Sequence, residues 1–443
     1  MRFFIYLSLL VLSACAVKNT TYSKEINEIS HYATLEFEQN TTLLPQLSDT
    51  VHFDEKAYKK HFFSPWHSSF KNIKAKEFFW SFDIYKNPKN EYYFFNKQRI
   101  PLSWFEKQIA NANVSQLGTI NKKALVIQNS LLKNFPTQMA ILKDPFKENE
   151  GIPFDYANDS IANIGSAVLI SHYSKDKKYV FVQSESGFGF IESQNIEFFS
   201  EERVKIYENL HFLTPLKEKL PVFKEDGTFF FETRIGSLYP YYKEDKHYFY
   251  GKIGKNKFRI AKNSAAKFPL QFNSTNLKNQ ISQTLGLPYG WGGYSFERDC
   301  SLLLRELFSG FGLFLPRNSL PQKNAFAHFD ISLLNNTQKQ EFLSKFAKPY
   351  LSLLYLKGHI MLYVGQIQGQ NSVFHSIWGL RKSKDERLLL SQSALTSLEI
   401  GKKEIKNEDL LLSKLAEVSI ISLNDTEKME IERYLENFKK SEF

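Results

Sequence analysis

One cysteine lies where a glycine-rich loop meets an amphipathic helix, and its surroundings suit a nucleophile. Residues 287–322 read LPYGWGGYSFERDCSLLLRELFSGFGLFLPRNSLPQ, with Cys300 at the junction. The free N–H groups and the positive end of a helix macrodipole at such a position favour the thiolate, which attacks carbonyl carbon. A lone cysteine is more often a buried core residue, but here Arg298, Asp299 and Ser301 are polar neighbours. We therefore predict that Cys300 is a nucleophile held as a thiolate.

Two histidines downstream supply the other groups that a nucleophilic cysteine needs, a base and a residue that orients the base. His359 lies in KGHIMLYVG and His375 in VFHSIWG, and both runs are strand-like. Taken singly, each histidine is more often an ordinary core or surface residue. Their joint placement after Cys300 favours a catalytic set in which His359 takes the thiol proton and His375 orients the imidazole.

The elements around these residues are predicted from glycines and from hydrophobic spacing. Glycines before Cys300 allow a tight turn onto the helix, and Gly310 and Gly312 end the helix. Residues 353–365 predict either two apolar strands or one long bent strand. The helical face after the cysteine is predicted from the spacing of Leu303, Leu304, Leu307, Phe308 and Phe311.

The motifs PYGWGG, DCS and LPRNS, followed by KGHIMLYVG and VFHSIWG, resemble the NlpC/p60 family of papain-like cell-wall peptidases. The resemblance covers about residues 276–395. It implies Cys300 as the nucleophile, His359 as the base and His375 as the third, orienting residue. It also implies that Tyr289 lies near the oxyanion site, with the backbone N–H of Cys300 as a donor.

Two positions depart from the family pattern. Leu302 replaces the usual glycine after DCS, and Asn318 replaces the aspartate that often follows LPR. In relatives that cleave free stem peptides, the Asp–Ser pair at this point is expected to hold the N-terminal amine of the substrate. Asn318 and Ser319 therefore imply a weaker, uncharged version of that contact, and Asp299 and Ser301 are further candidate substrate-binding residues.

The order of segments predicts an α+β protein with a papain-like NlpC/P60 catalytic domain preceded by two small SH3-like β-barrels. The length of 443 residues suffices for three or four small domains. An FFSPW stretch resembles the N-terminal stabilising segment of multidomain relatives, and its aromatic residues are predicted to serve packing. The predicted divisions are a lipoprotein signal peptide (1–15), a tether (16–50), the stabilising segment (51–130), a first barrel (131–203), a second barrel (204–273) and the peptidase domain (274–443).

Short alternating runs support the two barrels. Three such runs lie between 167 and 191, and a KEDG turn between LPVF and TFFF predicts a hairpin in the second unit. The sequence GIPFDYANDS (151–160) resembles the first SH3-like domain of the family, which narrows the catalytic cleft in relatives. Asp155, Tyr156 and Glu185 are therefore candidate cleft-wall residues, although Tyr156 equally suits the core of the barrel.

The N-terminus predicts export and lipidation. Residues 1–15, MRFFIYLSLLVLSAC, are basic and then apolar, and the apolar run is shorter than the roughly 20 residues that span a bilayer. LSAC fits the bacterial lipobox, so we expect Cys15 to carry lipid. This predicts a protein anchored to a membrane of the cell envelope, facing the periplasm from the outer membrane if the organism is Gram-negative.

Composition narrows the cofactors and partners. With Cys15 lipidated, Cys300 has no intrachain disulfide partner, and two cysteines with ten scattered histidines predict no metal and no other cofactor. The net charge of +10 is interspersed with acids, which favours anionic wall polymers or a membrane surface over nucleic acid. A lysine-rich composition without any ligand explains the charge equally well. We expect a monomer.

The resemblance implies a peptidoglycan hydrolase that cleaves the γ-D-glutamyl–diamino acid amide of stem peptides by thiolate attack. The same residues also suit an amidase or acyltransferase acting on another amide. A third alternative is a non-catalytic, wall-binding lipoprotein whose barrels carry the function. The set of Cys300, His359 and His375 argues against this last alternative, because wall binding requires none of the three.

Overall fold

The computed structural model describes residues 31–47, 51–147, 149–384 and 386–439. The predicted signal peptide and lipidation site at Cys15 lie outside these residues. The described strands form three seven-stranded sheets, one in each barrel and one in the peptidase domain. None of the helices in the described part of the chain is both long and apolar enough to cross a bilayer.

Residues 31–47 lie against the peptidase domain, so the predicted tether (16–50) is wrong for this part of the chain. Strand β1 (His31–Tyr32) pairs in parallel with residues 388–389. Phe37 and Leu44 are buried in the peptidase core. The side chain of Gln39 donates to the carbonyl of Leu395 at 3.0 Å and accepts from its N–H at 2.9 Å. Burial of apolar side chains accounts for the ordered path.

The aromatic segment that follows joins the first barrel through side-chain packing, as predicted. Trp66 is 1% exposed, and its indole N–H donates to the carbonyl of Ala124 at 2.8 Å. Phe79 and Phe82 share one core with Phe135 of the barrel. The helices of the segment are α1 (Glu55–Phe62), α2 (Ala75–Phe79), α3 (Ser81–Lys86) and α4 (Leu102–Asn111).

The first barrel is an antiparallel sheet in the order β4-β3-β7-β6-β5-β2-β8. Its strands are β2 (Lys122–Val126), β3 (Ser130–Lys133), β4 (Asn158–Ala162), β5 (Ala167–Tyr173), β6 (Tyr179–Ser184), β7 (Gly187–Glu192) and β8 (Ile196–Phe198). Strand β2 pairs with both β5 and β8. The sheet therefore begins at Lys122, inside the region that the sequence assigned to the stabilising segment (51–130).

The second barrel follows helix α5 (Glu201–Glu208), which spans the predicted boundary at 203/204. Its strands have the order β11-β10-β14-β13-β12-β9-β15. The KEDG hairpin is present as β10–β11, and the Asp226 carboxylate accepts from the N–H of Thr228 at 2.9 Å. The strands are β9 (His211–Pro215), β10 (Pro221–Lys224), β11 (Phe229–Glu232), β12 (Tyr239–Glu244), β13 (Tyr248–Ile253), β14 (Asn256–Ala261) and β15 (Ala265–Lys267).

The peptidase domain packs helices against a sheet in the order β1-β20-β19-β18-β17-β21-β16. Its helices are α6 (Ser274–Thr284), α7 (Cys300–Ser309), α8 (Ser319–Lys323), α9 (Asn336–Phe346), α10 (Leu411–Lys414) and α11 (Asp425–Lys439). Its own strands are β16 (Ala327–Asp330), β17 (Ser352–Leu356), β18 (His359–Ile367), β19 (Gln370–Arg381), β20 (Arg387–Ser397) and β21 (Glu417–Ile420). Leu303 and Phe308 of α7 share a buried cluster with Ile360 of β18. This packing places the start of α7 beside the start of β18.

Candidate active site

Cys300 is the first residue of α7, and Asp299 caps that helix. The Asp299 carboxylate accepts from the N–H of Leu302 at 2.9 Å, the N-cap bond that such a helix start requires. The thiol is 8% exposed and belongs to an apolar cluster that includes Leu303 and Ile360. Cys300 is thus nearly buried, yet it lines a surface cavity together with His359.

Arg317 holds Asp299 in place. Its guanidinium donates to both Asp299 oxygens, at 3.1 and 2.7 Å. The N–H of Gly292 and the hydroxyl of Ser301 also donate to Asp299, at 3.0 and 3.2 Å. Burial alone raises the pKa of Asp299, but Arg317 outweighs it and the net pKa is lowered. Because these donors occupy both oxygens, Asp299 and Ser301 position the helix start, and the structure leaves them little capacity for the predicted substrate contact.

The two predicted histidines are brought together in the order that the chemistry needs. Nε2 of His359 lies 2.9 Å from Nδ1 of His375, and Nε2 of His375 lies 3.0 Å from the hydroxyl of Thr396. If Nε2 of His359 donates in this chain, Nδ1 of His359 is the unprotonated nitrogen that can accept a thiol proton. Thr396 completes the hydrogen-bonded chain, although no motif in the sequence points to it.

Burial favours the uncharged forms of both Cys300 and His359. It raises the pKa of the Cys300 thiol to about 12, and the neighbouring Asp299 acts in the same direction. Burial also lowers the pKa of His359 to about 4 and that of His375 well below its usual range. Burial therefore acts against the thiolate that the helix N-terminus favours, and it shifts the resting pair of Cys300 and His359 toward a thiol and a neutral imidazole.

The catalytic loop is shaped to receive the first barrel. Gly292 and Gly293 have φ of 66° and 91°, and a Cβ on either would collide with strand β4, at Asn158 and Ile161 respectively. The Asn158 side chain donates to the carbonyl of Gly292 at 2.6 Å. The first barrel and the loop before Cys300 therefore touch backbone to backbone, which only glycine allows here.

Aromatic rings from both domains form a wall beside the nucleophile. Phe154 of the first barrel lies with its ring centroid 6.0 Å from Tyr289, 5.9 Å from Trp291 and 5.5 Å from Trp378. Tyr156 lies 5.0 Å from Trp291. Burial raises the pKa of Tyr289 well above its usual value, with Cys300 a further cause. Tyr289 lines the cavity together with Cys300. Tyr156 lies at the junction between the first barrel and the peptidase domain, and its role as a cleft-wall residue stays a prediction.

Two other predicted wall residues have structural partners instead. Asp155 is 1% exposed, forms an ion pair with Lys133 inside the barrel, and accepts from the N–H of Ile141 at 3.0 Å. Glu185 forms an ion pair with Arg305 of α7. Both were predicted as cleft-wall residues, but the structure places their carboxylates in ion pairs with buried cations, which compensate their charge.

Asn318 and Ser319 lie at the start of α8, directly after Arg317. Asn318 is exposed and its side chain does not cap the helix, so its amide stays available to a ligand. Ser319 is half-buried. In the first barrel, Asp159 lies between Asn158, which contacts the loop, and Ser160, whose hydroxyl accepts from Arg317 at 2.9 Å. Asp159 lies in GIPFDYANDS and Arg317 in LPRNS, but neither was predicted as a site residue.

A buried ionic cluster joins α7 to both barrels. Glu306 accepts from Nε of Arg298 at 2.6 Å and from Nε of Arg234, in the second barrel, at 2.8 Å. Asn163 of the first barrel donates to the same carboxylate at 3.2 Å. Arg298 also forms a bidentate pair with Glu218, at 2.9 and 3.1 Å. The cluster fixes the residue two positions before Cys300.

Such a site, a buried thiol beside a histidine oriented by a second polar residue, defines a cysteine-type peptidase in a papain-like α+β fold. Four family models match the chain in the same order: the NLPC_P60 stabilising domain at 4–117, an SH3 domain of SH3b1 type at 141–192, an SH3 domain of SH3b2 type at 200–246 and the NlpC/P60 family at 286–381. The chain is a multidomain member of the NlpC/P60 family, and the match supports a cell-wall peptidase.

A solved structure shows the same fold. The chain is similar to an NlpC/P60 endopeptidase from Photobacterium damselae subsp. piscicida, with 22% identity, a TM-score of 0.79, and 88% of this chain and 99% of that chain covered. An NlpC/P60 family protein from Bacillus cereus ATCC 10987 has 17% identity and a TM-score of 0.48, with 68% of this chain and 99% of that one covered. The comparison with curated proteins gave no significant match.

Proposed function

We propose that this protein is a peptidoglycan hydrolase that cleaves the amide between the γ-carboxyl of D-glutamate and the following diamino acid of stem peptides. The observation that carries the proposal is the wall of the first barrel, which closes one side of the cleft beside Cys300. Phe154 and Tyr156 face Trp291 across this boundary. A cleft closed on one side suits the free end of a short peptide better than the middle of a long polymer.

The chemistry needs only this chain's residues. The thiol proton passes to Nδ1 of His359 as sulfur attacks the amide carbon, and the backbone N–H of Cys300 is a donor for the developing oxyanion. His359 then gives the proton to the departing amine, leaving an acyl-enzyme on Cys300. Water, deprotonated by the same imidazole, releases the acid and restores the thiol. His375 keeps His359 in the required tautomer throughout.

The closed side also carries groups for the amine at the start of the peptide. Asn318 supplies an amide oxygen without charge, and Asp159 of the first barrel supplies a carboxylate nearby in the same junction. Asp159 is open to solvent, while the protein around it displaces enough water to raise its pKa to about 6, against the opposing charge of Arg317. An ionised Asp159 would replace the charge that Asn318 lacks. We propose both as the ammonium-binding residues.

One observation favours the non-catalytic alternative, a wall-binding protein. The raised pKa of Cys300 means that the free protein holds a poor nucleophile at neutral pH. His359, with a pKa of about 4, is nevertheless in the neutral form that accepts a proton. In a hydrolase, bound substrate must promote proton transfer from Cys300 to His359, whereas a wall-binding protein needs no such transfer. An activity assay therefore distinguishes the two functions.

The localisation is part of the proposal. The sequence pattern at Cys15 would anchor the chain to an envelope membrane by lipid, which would place the cleft beside its polymer substrate. Mass measurement of the membrane fraction, with Cys15→Ser as the control, tests this point. A mature protein without a lipid mass would refute the anchor and leave the hydrolase proposal unaffected.

The test of activity uses protein that starts after Cys15, with Cys300→Ala beside it as a control. Each is incubated with L-Ala-γ-D-Glu-diaminopimelate and separately with intact muropeptides, and products are read by mass spectrometry. Release of L-Ala-γ-D-Glu by the wild type but not by Cys300→Ala supports the proposal. Hydrolysis of the free tripeptide without hydrolysis of muropeptides supports a cleft that the first barrel closes on one side. If folded protein with a titratable thiol gives no product from the tripeptide or from the muropeptides, the hydrolase proposal fails and the wall-binding function remains.

A further inference from the structure

The cavity beside Cys300 is lined by an excess of cations. It has a volume of about 280 Å³, and the residues that line it all belong to the peptidase domain. Four cations line it against one carboxylate, Asp409. The cations are Lys357, Arg381, Arg387 and Lys414. Lys414 pairs with Asp409 at 2.5 Å, so the one carboxylate of the cavity is already occupied by one of these cations.

Two of these cations have no anionic partner in the described part of the chain. Lys357 and Arg381 are both exposed, and neither forms an ion pair with any described residue. Lys357 lies two positions before His359, and Arg381 lies three after Trp378, so both sit within a few residues of the reacting groups. Exposed cations converging on a cleft attract anionic ligands and raise their local concentration.

A buried donor adds to the same pattern. Trp378 lines the cavity, and its indole N–H is buried without a hydrogen-bond partner among the described residues. Buried donors are rarely left unsatisfied. Beside Lys357 and Arg381, this donor adds to a set of groups that complements an acceptor-rich, negatively charged ligand.

We infer that this cavity is the subsite for the leaving amino acid and that Lys357 and Arg381 bind its carboxylate. The inference rests on the proposed function. In that proposal the first barrel lies beside the acyl part of the substrate, which leaves this cavity for the departing amine. The enzyme would then prefer peptides whose leaving residue carries a carboxylate, as diaminopimelate does. Peptides in which the leaving residue has no free carboxylate would be poorer substrates.

The test compares two peptides that differ only in the leaving residue. One is L-Ala-γ-D-Glu-diaminopimelate, and the other ends in lysine amide, which keeps the D-glutamate carboxylate but has none on the leaving side. The variant is Lys357→Gln/Arg381→Gln, and Lys384→Gln is the matched control, an exposed cation that does not line the cavity. Lys384→Gln is expected to behave as the wild type.

We expect the double variant to raise KM for the diaminopimelate peptide by about tenfold, with kcat little changed, since charged hydrogen bonds are lost. Its KM for the lysine amide peptide should stay unchanged. Equal losses on both peptides would assign the cations to the D-glutamate carboxylate and overturn the inference, as would no loss on either.

A titration keeps this inference separate from the hydrolase proposal. Binding of both peptides to Cys300→Ala is measured by calorimetry, with and without the Lys357→Gln/Arg381→Gln changes. If the wild type cleaves neither peptide, the proposed hydrolysis fails. Selective binding of the diaminopimelate peptide that the double change abolishes would still support the subsite, and equal binding of the two peptides would refute it.

Discussion

Replacing Glu306 by glutamine should destabilise the protein far more than the loss of one surface charge would. Glu306 is 4% exposed and accepts from Arg234 and Arg298, so the change keeps the size of the side chain and removes only its charge. Arg298 would keep its pair with Glu218, whereas Arg234 would lose the carboxylate with which it pairs. Removing one partner from a buried ion pair costs about 3–5 kcal/mol, and we expect a loss in that range.

The pH dependence of stability has a definite sign. Burial alone raises the pKa of Glu306, but Arg234 and Arg298 outweigh it, so the folded-state pKa lies below the usual value of 4.5. Its contribution to stability is therefore complete above about pH 4.5 and is lost as the pH falls through the folded-state pKa. The difference between wild type and Glu306→Gln should be largest near neutral pH and should shrink in acid.

The assay is urea unfolding at pH 7 followed by tryptophan fluorescence, with hydrogen exchange of α7 as a local readout. The control is Glu408→Gln, whose partner Lys406 is 3.7 Å away and whose side chain is 76% exposed. We expect the control to change stability by less than about 0.5 kcal/mol. A loss in Glu306→Gln no larger than in this control would refute the reasoning.

A double variant tests whether uncompensated charge is the cause. Arg234→Gln/Glu306→Gln removes one cation with the carboxylate and leaves Arg298 paired with Glu218. If the cost of Glu306→Gln comes from excess positive charge, the double variant should be more stable than the single one. A loss equal to the sum of the two single losses would point instead to hydrogen bonding and packing.

Three further outcomes follow from the site. His375→Ala should lower kcat by about a hundredfold or more with little change in KM, because His359 loses the group that fixes its tautomer; steady-state kinetics on the tripeptide checks this. Alkylation of Cys300 by iodoacetamide in the free protein should be slow at pH 7 and should accelerate toward pH 12, and a plateau below pH 8 would contradict the raised thiol pKa. KM for the free tripeptide should rise as the pH falls through about 6, because Asp159 loses its charge there. The variant Asp159→Asn should raise KM at pH 7 by about tenfold and should abolish this pH dependence.

The sequence predicted well those features that depend on local patterns. The spacing of apolar residues after Cys300 is contained within about ten residues, and helix α7 begins at Cys300 as predicted. The cap by Asp299 was seen only in the structure. The strand-like runs around the two histidines predicted that His359 and His375 lie on neighbouring strands. In the structure, Nε2 of His359 lies 2.9 Å from Nδ1 of His375. The KEDG hairpin followed from the chemistry of its turn.

What the sequence could not supply are effects that arise from residues distant in the chain. The pKa of Cys300 depends on burial, to which Ile360, sixty positions later, contributes through its packing and its N–H. Asp155 and Glu185 were assigned to the cleft because nothing in one sequence reveals their partners, Lys133 and Arg305. Such partnerships need three-dimensional coordinates.

The same limit explains the error in the tether. A stretch rich in threonine and asparagine resembles a linker, but Phe37 and Leu44 are buried in the peptidase core and Leu43 and Leu47 pack against it. The segment is too short and its apolar residues are too few for a clear period, although their presence in a supposed linker was itself a signal for packing.

The contact between strand β4 and the two glycines of the catalytic loop has a consequence for biosynthesis. Domains fold largely as units in the order in which the ribosome makes them. Asn158 and Ile161 are made more than a hundred residues before Gly292 and Gly293, so the first barrel can be folded before the loop emerges. The barrel would then act as an intramolecular template on which the loop before Cys300 takes its shape. A peptidase domain expressed without its upstream barrel would have to build its nucleophile site without that template.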